Sequence, residues 1–343
     1  MSGGVDSSVA AALLVEQGHE VSGVTLKLWG GPSDQGCCTV ADVDDARRVA
    51  AQLGIDHHVF NMTDSFDQLV VDPYVESHRT GRTPNPCIEC NRHLKFGMLL
   101  DAARRLRFDA LATGHHARID TSGDSPQLRR GADGAKDQSY VLAMLTREHL
   151  SDVLLPVGEM TKVEVRAIAE RLGLRTAAKQ ESQDTCFISS SGGRREFLES
   201  RTTLGPGQLV DAVSGDVVGT VSEMELVTVG QRRRLGVDAE GERRVAVSID
   251  TTRREILVTS PERSLLRTIA LEGESMTWTG SEVEDGTLVS VQLRAHGDPA
   301  LARLKSGRLD FETPVAPVAP GQTAALYDAA DLDRVLGSGV VAR

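Results

Sequence analysis

Residues 1–18 read MSGGVDSSVAAALLVEQG, and the order of residue types in this stretch decides the class of fold. Two glycines, an Asp and two serines stand directly before an Ala/Leu-rich run of helical composition that stops at Gly18. Loops of this composition normally follow a β-strand. No strand-forming run precedes this one, so Met1 is expected to be an internal methionine of a longer protein whose first strand lies upstream. Gly3 and Gly4 permit positive φ and let an anion approach the backbone. The amides from Val5 to Ser8 are expected at a helix N-terminus, where the macrodipole favours negative charge. Ser2, Ser7 and Ser8 add hydroxyl donors. The same residues also make an ordinary N-cap, and composition alone leaves both readings open. No Lys follows the glycines, so the loop is not GxxxxGK[ST]; it is not GxGxxG either, which disfavours a dinucleotide fold.

Downstream of this loop, short apolar strands alternate with amphipathic helices. The pattern predicts helices over 7–17, 42–53, 91–106 and 162–172, with a further helical run from Phe66. Strands are expected at 21–29, in HHVFN and in DALATGHH. This rhythm favours a parallel sheet with helices on both faces. After about Gly193 the texture becomes all-β: GPGQLVD, DVVGTV, ELVTVGQ, RRVAVSID, REILVTS and TLVSVQLRA are short alternating segments between Gly, Asp and Pro. A second break is expected near Pro261, which divides the chain into 1–193, 194–260 and 261–343.

With 343 residues the chain is too long for one core, and two or three domains are expected. A composition of 40% hydrophobic and 25% charged residues is that of a globular protein, without an apolar run of membrane-spanning length. No basic segment with a cleavage site opens the chain, so no secretory signal is expected and a cytoplasmic location is. The formal net charge of −11 excludes a generally basic surface but leaves room for a local basic groove. Arg129–Arg130 and Arg232–Arg234 each read either as a solvated run or as part of such a groove.

Five cysteines, an odd number, argue against a disulfide framework. GRTPNPCIECNRHLKFG (81–97) contains Cys87 and Cys90. Pro84 and Pro86 are expected to hold an extended loop, with a helix beginning at Asn91 and Cys90 just before it, where the dipole and Arg92 or Lys95 would favour a thiolate. KQESQDTCFI carries Cys186 far downstream. Three readings stand: small buried residues without chemistry, a zinc site with irregular spacing, or sulfur transfer between two distant thiols. His115–His116 reads as a metal or acid–base pair, or as strand-end hydrogen bonding.

SGGVDS resembles the pyrophosphatase loop of the ATP α-hydrolase superfamily. SGGVDSS, TPNPCIECNRHLKFG, LATGHHAR, GADGAKDQSYVL, LLPVGEMTKVEVRAIAERLGL, SQDTCFI, VGQRRRLGV and PVAPVAPGQTAALYD together, in order and along essentially the whole chain, resemble the bacterial tRNA-specific 2-thiouridylase family. The resemblance implies an α/β N-terminal domain of the adenine nucleotide α-hydrolase type, a small central domain and a C-terminal β-barrel. It assigns ATP binding to Met1, Ser2, Gly3, Gly4, Val5, Asp6, Ser7, Ser8, Leu26 and Gly114, with Mg2+ alongside. It makes Cys90 the nucleophile and Cys186 the persulfide carrier. Asn85, Pro86 and Cys87 fall near the target base, and Lys136, Asp137, Gln138, Arg294, Ala295, His115 and Gln322 at tRNA contacts. Many relatives have Asp at Cys87, and an aromatic often stands where this chain has Ala295. The extra thiol admits a second arrangement, an iron–sulfur cluster on Cys87, Cys90 and Cys186. Cys37 and Cys38 read as loop bystanders. The implied partners are tRNAs for Lys, Glu and Gln and a cysteine desulfurase or sulfur-relay protein; no membrane is implied. The rival readings are another adenylating synthetase acting on a small molecule, which needs neither Cys90 nor Cys186, and an RNA-binding module that senses ATP.

Overall fold

The computed structural model describes residues 1–28, 40–179, 185, 187–188 and 193–343. The glycine loop leads into α1 (Val5–Glu16), then β1 (Ser22–Lys27), α2 (Val40–Leu53) and β2 (Asp56–Asn61), and β1 and β2 pair in parallel. A second parallel pair joins Leu111–Ala112 to Val153–Leu154. Val5, Val9 and Ala10 of α1 pack with Val49 of α2 and with Val165 and Ala169 of the helix Lys162–Arg171. The helices Val40–Leu53 and Lys162–Arg171 each bury one apolar stripe, whereas α1 is buried nearly all round, with Ser8 to Ala12 covered without a break. Among the described residues no strand precedes α1; the Met1 amino group donates to the Val24 carbonyl and the Thr25 hydroxyl donates to Met1 O at 2.6 Å, so Met1 lies beside β1.

The cysteine-bearing helix starts earlier than its sequence suggests. Asn85 caps it by accepting from Cys87 N at 3.0 Å, Pro86 takes the first turn, and the helix runs on through Pro86–Glu89, Cys90–Leu99 and Leu100–Arg105. Proline is suited to that first position because it has no amide to leave unpaired. Cys90 therefore sits a full turn inside the helix and not before it. The segment Cys90–Leu99 is wound as a π-helix. A Cβ at Gly97 would lie 2.9 Å from the Arg92 carbonyl, which is why a glycine stands where the wide turn brings these backbones together.

The second half is all β. Gly207–Asp211, Val217–Val221, Val245–Asp250 and Glu255–Thr259 form a four-stranded sheet whose one parallel contact joins the first and last of these. The stretch 225–231, expected as a strand, instead forms a 3-10 turn at Met224–Leu226 and further turns up to Gly230, where φ is +88°. Seven antiparallel strands between Leu266 and Val340 make the last sheet. A bridge between Leu271 and Val341, with Ala342 N donating to Ala270 O at 2.9 Å, curls this sheet towards closure as a barrel. One core cluster runs across the seam between this sheet and the α/β layer, uniting Leu128, Tyr140 and Leu142 with Ala325, Tyr327 and Val335.

Candidate active site

Gly3 has φ +69°, and a side chain there would run into the Asp42 backbone of α2, so only glycine fits. Gly4 caps α1 in an extended conformation without a side-chain bond, which leaves the first amides of the helix to an outside acceptor. Ser7 Oγ accepts from Ser2 N at 3.1 Å, and the buried Ser8 hydroxyl donates to Gly4 O at 2.8 Å, so the serines brace the loop as well as edging it. Gly114 comes close to this turn: a Cβ on it would lie 2.6 Å from the backbone of Asp6 and Ser7. The strand end LATGHH and the glycine loop thus meet backbone to backbone.

Asp6 is the electrostatic centre of the loop. Lys162 Nζ donates to both carboxylate oxygens at 2.6 and 2.7 Å, and His116 Nε2 lies 3.1 Å from Oδ1. Burial pushes the Asp6 carboxyl up, yet the bonds from His116 and Lys162 outweigh it and leave the group below the usual carboxylate value. His115 points elsewhere: its Nδ1 is 2.8 Å from the Thr113 hydroxyl and its ring is 6.0 Å from that of Phe96 in the cysteine helix. Burial, together with the Lys95 and His116 charges, holds His115 well below the ordinary imidazole value and hence neutral near pH 7. Both histidines therefore make strand-end hydrogen bonds, and they link the loop to the cysteine helix.

Cys90 is buried, whereas Cys87 is exposed. Cys90 packs in a cluster with Leu26 of β1, Leu94 and Phe187. Phe187 is held by edge contacts to Phe66 and Tyr74, with ring centroids 5.6 and 5.4 Å away. Arg92 pairs with Glu89 at 3.4 Å. Asn91 is buried and donates to Val141 O at 3.3 Å. The loop ahead of the helix is pinned by the barrel: Thr83 N donates to Pro320 O at 2.8 Å and the Gln322 amide to Thr83 O. Gln322 thus holds the loop at Thr83, two residues ahead of Asn85. Cys37, Cys38 and Cys186 lie outside the described residues.

The other expected RNA contacts fall in two places. Asp137 is a buried hub that accepts from Arg130 Nη1 at 2.8 Å, Gly131 N at 2.9 Å, and Ser139 N and Oγ at 3.0 and 2.8 Å. Gln138 N donates to His116 O at 2.8 Å and its side-chain oxygen accepts from His116 N at 2.9 Å, which fixes that histidine over Asp6. Lys136 is half-buried beside them. Arg294 is exposed on the barrel and donates to Pro317 O at 3.2 Å, and a Cβ on Gly230 would lie 3.2 Å from its guanidinium. Ala295 packs against the seam cluster. Sequence reasoning missed Lys162 as a site residue, because it is 156 residues from Asp6 and looks like any helix-opening lysine. Among the described residues no group of three or more His, Cys, Asp or Glu is arranged to hold a metal ion, and no helix is long and apolar enough to cross a membrane.

The fold and site define an α/β domain that opens on a glycine–serine loop at a helix N-terminus, carried together with a β-barrel. Residues 1–190 match the family model described as the tRNA methyl transferase HUP domain, and residues 269–341 match the aminomethyltransferase beta-barrel domain. The sequence is 44% identical to the tRNA-specific 2-thiouridylase MnmA of Thermobifida fusca (strain YX), over 100% of this chain and 94% of that protein. It is 43% identical to the protein of the same name from Mycobacteroides abscessus, over 100% of this chain and 98% of that protein. A third relative so named, from Saccharopolyspora erythraea, is 42% identical over 100% and 98%. The chain belongs to the tRNA-specific 2-thiouridylase family.

Proposed function

We propose that the protein is a tRNA-uridine 2-sulfurtransferase: it exchanges the O2 oxygen of uridine 34 for sulfur in an ATP-dependent reaction and releases AMP and pyrophosphate. The reading rests above all on one observation: Phe187, covalently next to Cys186, packs in the same cluster as Cys90 and Leu26, at the strand that runs beside the glycine loop. Gly3, Gly4 and the uncapped amides of α1 suit the phosphates of ATP, and Gly114 leaves the space that a side chain would fill. Mg2+ bound with ATP would offset charge on the phosphates, while Asp6, both of whose oxygens are bonded to Lys162, holds that side chain and His116 at the loop.

Uracil O2 is a poor leaving group until adenylation makes it part of a phosphate ester. Loop amides at a helix N-terminus favour that step, since charge builds on the pyrophosphate oxygens as they depart. The terminal sulfur of a Cys186 persulfide then bonds to C2 while the C2–O bond breaks and AMP leaves. The Cys90 thiolate attacks the inner sulfur, the S–S bond breaks, and 2-thiouridine is released with a Cys90–Cys186 disulfide, which a thiol reductant returns to two thiols. Uridine 34 has to leave the anticodon stack to reach these groups. Asn85, Pro86 and Cys87 line the approach, and Lys136, Gln138, Gln322 and Arg294 hold the RNA around it, while His115 is buried against Phe96 and Ala295 packs at the seam. The division 1–193, 194–260 and 261–343 fits this scheme, with each of the two large β-sheets inside one unit. The sulfur comes from a cysteine desulfurase or relay protein, the acceptors are tRNAs for Lys, Glu and Gln, and the cytoplasm is where these meet.

The test is an anaerobic assay with ATP, tRNA and a persulfide donor. Cys90→Ser and Cys186→Ser are each expected to abolish 2-thiouridine while tRNA-dependent pyrophosphate release continues. Thiolation that survives either change would contradict the scheme. A visible charge-transfer band that Cys87→Ser removes along with activity would favour the iron–sulfur arrangement instead.

A further inference from the structure

The glycine loop lacks a cation of its own: α1, which opens on it, contains neither Lys nor Arg. In phosphate loops that carry a lysine, that side chain reaches the terminal phosphates. Here the fold supplies one from 156 residues downstream. Lys162 is the first residue of the helix Lys162–Arg171, whose start is fixed several times over. Thr161 and Glu164 form a reciprocal capping box, with Thr161 N donating to Glu164 at 2.7 Å. Lys162 N donates to Asp133 Oδ2 at 2.9 Å, and Val165 and Ala169 lock the helix against α1. The side chain is 10% exposed, and its ammonium spans both oxygens of Asp6, in the first turn after the glycines.

A buried Lys–Asp pair is weak evidence for stability, because desolvation offsets most of the attraction. Its place is more informative: an ammonium fixed at the mouth of a loop whose other donors are amides, hydroxyls and the His116 ring. We propose that Lys162 is the phosphate-binding cation of this loop, held ready by Asp6 and His116 for the β- and γ-phosphates of ATP and for the departing pyrophosphate. The inference deepens the nucleotide reading above and rests on it.

Calorimetric titration of the full chain with pyrophosphate, ATP and AMP tests it. A charge-assisted contact predicts that Lys162→Met weakens pyrophosphate and ATP by about tenfold or more and AMP by less than about twofold, with Lys162→Arg recovering part of the loss. Lys162→Met leaves the half-buried Asp6 charge with His116 alone, so Asp6→Asn combined with Lys162→Met removes both charges. Pyrophosphate binding that stays weak in this double variant supports the assignment; binding restored to the wild-type level overturns it. Equal weakening of all three ligands, or of none, also overturns it. If the wild-type chain binds neither ATP nor pyrophosphate, the nucleotide reading of the loop falls, and Lys162 falls with it.

Discussion

Arg129–Arg130 and Arg232–Arg234 look alike in sequence and meet opposite fates in the fold. The first pair lies on the hairpin of Ala117–Asp120 and Gln127–Arg130, facing the barrel turn at Asp331–Asp333. Arg129 bonds both oxygens of Asp331 at 2.9 and 3.0 Å, while Arg130 bonds Asp137 and stacks 3.8 Å from the Tyr327 ring centre. Arg118 joins them through Asp333 at 2.9 Å. Arg232, Arg233 and Arg234 are all exposed, and their guanidinium groups pair with no carboxylate of the described residues. They follow Gly230, which lies against Arg294 of the barrel. A basic run thus acquires its role from what the topology sets opposite it. Carboxylates turn one run into a seam, and their absence leaves the other as a cationic surface suited to phosphate backbone.

The contrast breaks most visibly at Asp137. Its loss leaves Arg130 without its partner at a seam only 21% exposed, so Asp137→Ala should lower stability by about 3 kcal/mol, read as an earlier first transition in urea. The seam between the helix Asp72–Arg79 and the central sheet offers a pH test. Burial, then the Arg194 charge, depresses His78 to about 4, so the folded state resists a proton that the unfolded chain accepts near pH 6.5. That contribution is complete above pH 6.5 and is lost as pH falls towards 4, by roughly 3 kcal/mol across the window; His78→Gln should flatten this part of the stability profile. Arg129→Ala removes a partly exposed pair and should cost about 1 kcal/mol, without altering how tRNA affinity varies with salt. Changing Arg232, Arg233 and Arg234 together to Ala reverses that pattern: stability moves by less than about 0.5 kcal/mol, while the slope of log affinity against log salt drops by roughly 2 to 3. A salt slope that follows Arg129 and ignores the triple change would invert the assignment of the two runs.

Local chemistry made much of this legible. Gly3 and Gly4 before an apolar helix marked the loop, and the change of texture after Gly193 marked the β half. Asn91 looks like the start of a helix over 91–106, although Asn85–Pro86, six residues earlier, carries the stronger cap. ELVTVGQ misled for a different reason. Leu226 packs inward as a neighbour of the Cys90 cluster, Val227 lies in the central core and Val229 is buried, so burial alternates as in a strand while the backbone turns. Its amides go to Met224 O and Ala246 O, not to a ladder. Lys162 and the Asp331–Asp333 turn were invisible, since nothing local announces a partner 156 or 202 residues away. The π-wound stretch at Cys90 likewise has no periodic signature of its own.

In the proposed scheme Cys186 delivers sulfur to uracil C2, and Cys90, distant in the chain, releases the product by closing a disulfide on Cys186. Mass spectrometry of peptides from protein quenched after one turnover, with no reductant present, tests it most directly. A Cys90–Cys186 cross-link that appears in proportion to 2-thiouridine is the predicted result; product formed while both residues are recovered as unlinked thiols would contradict it.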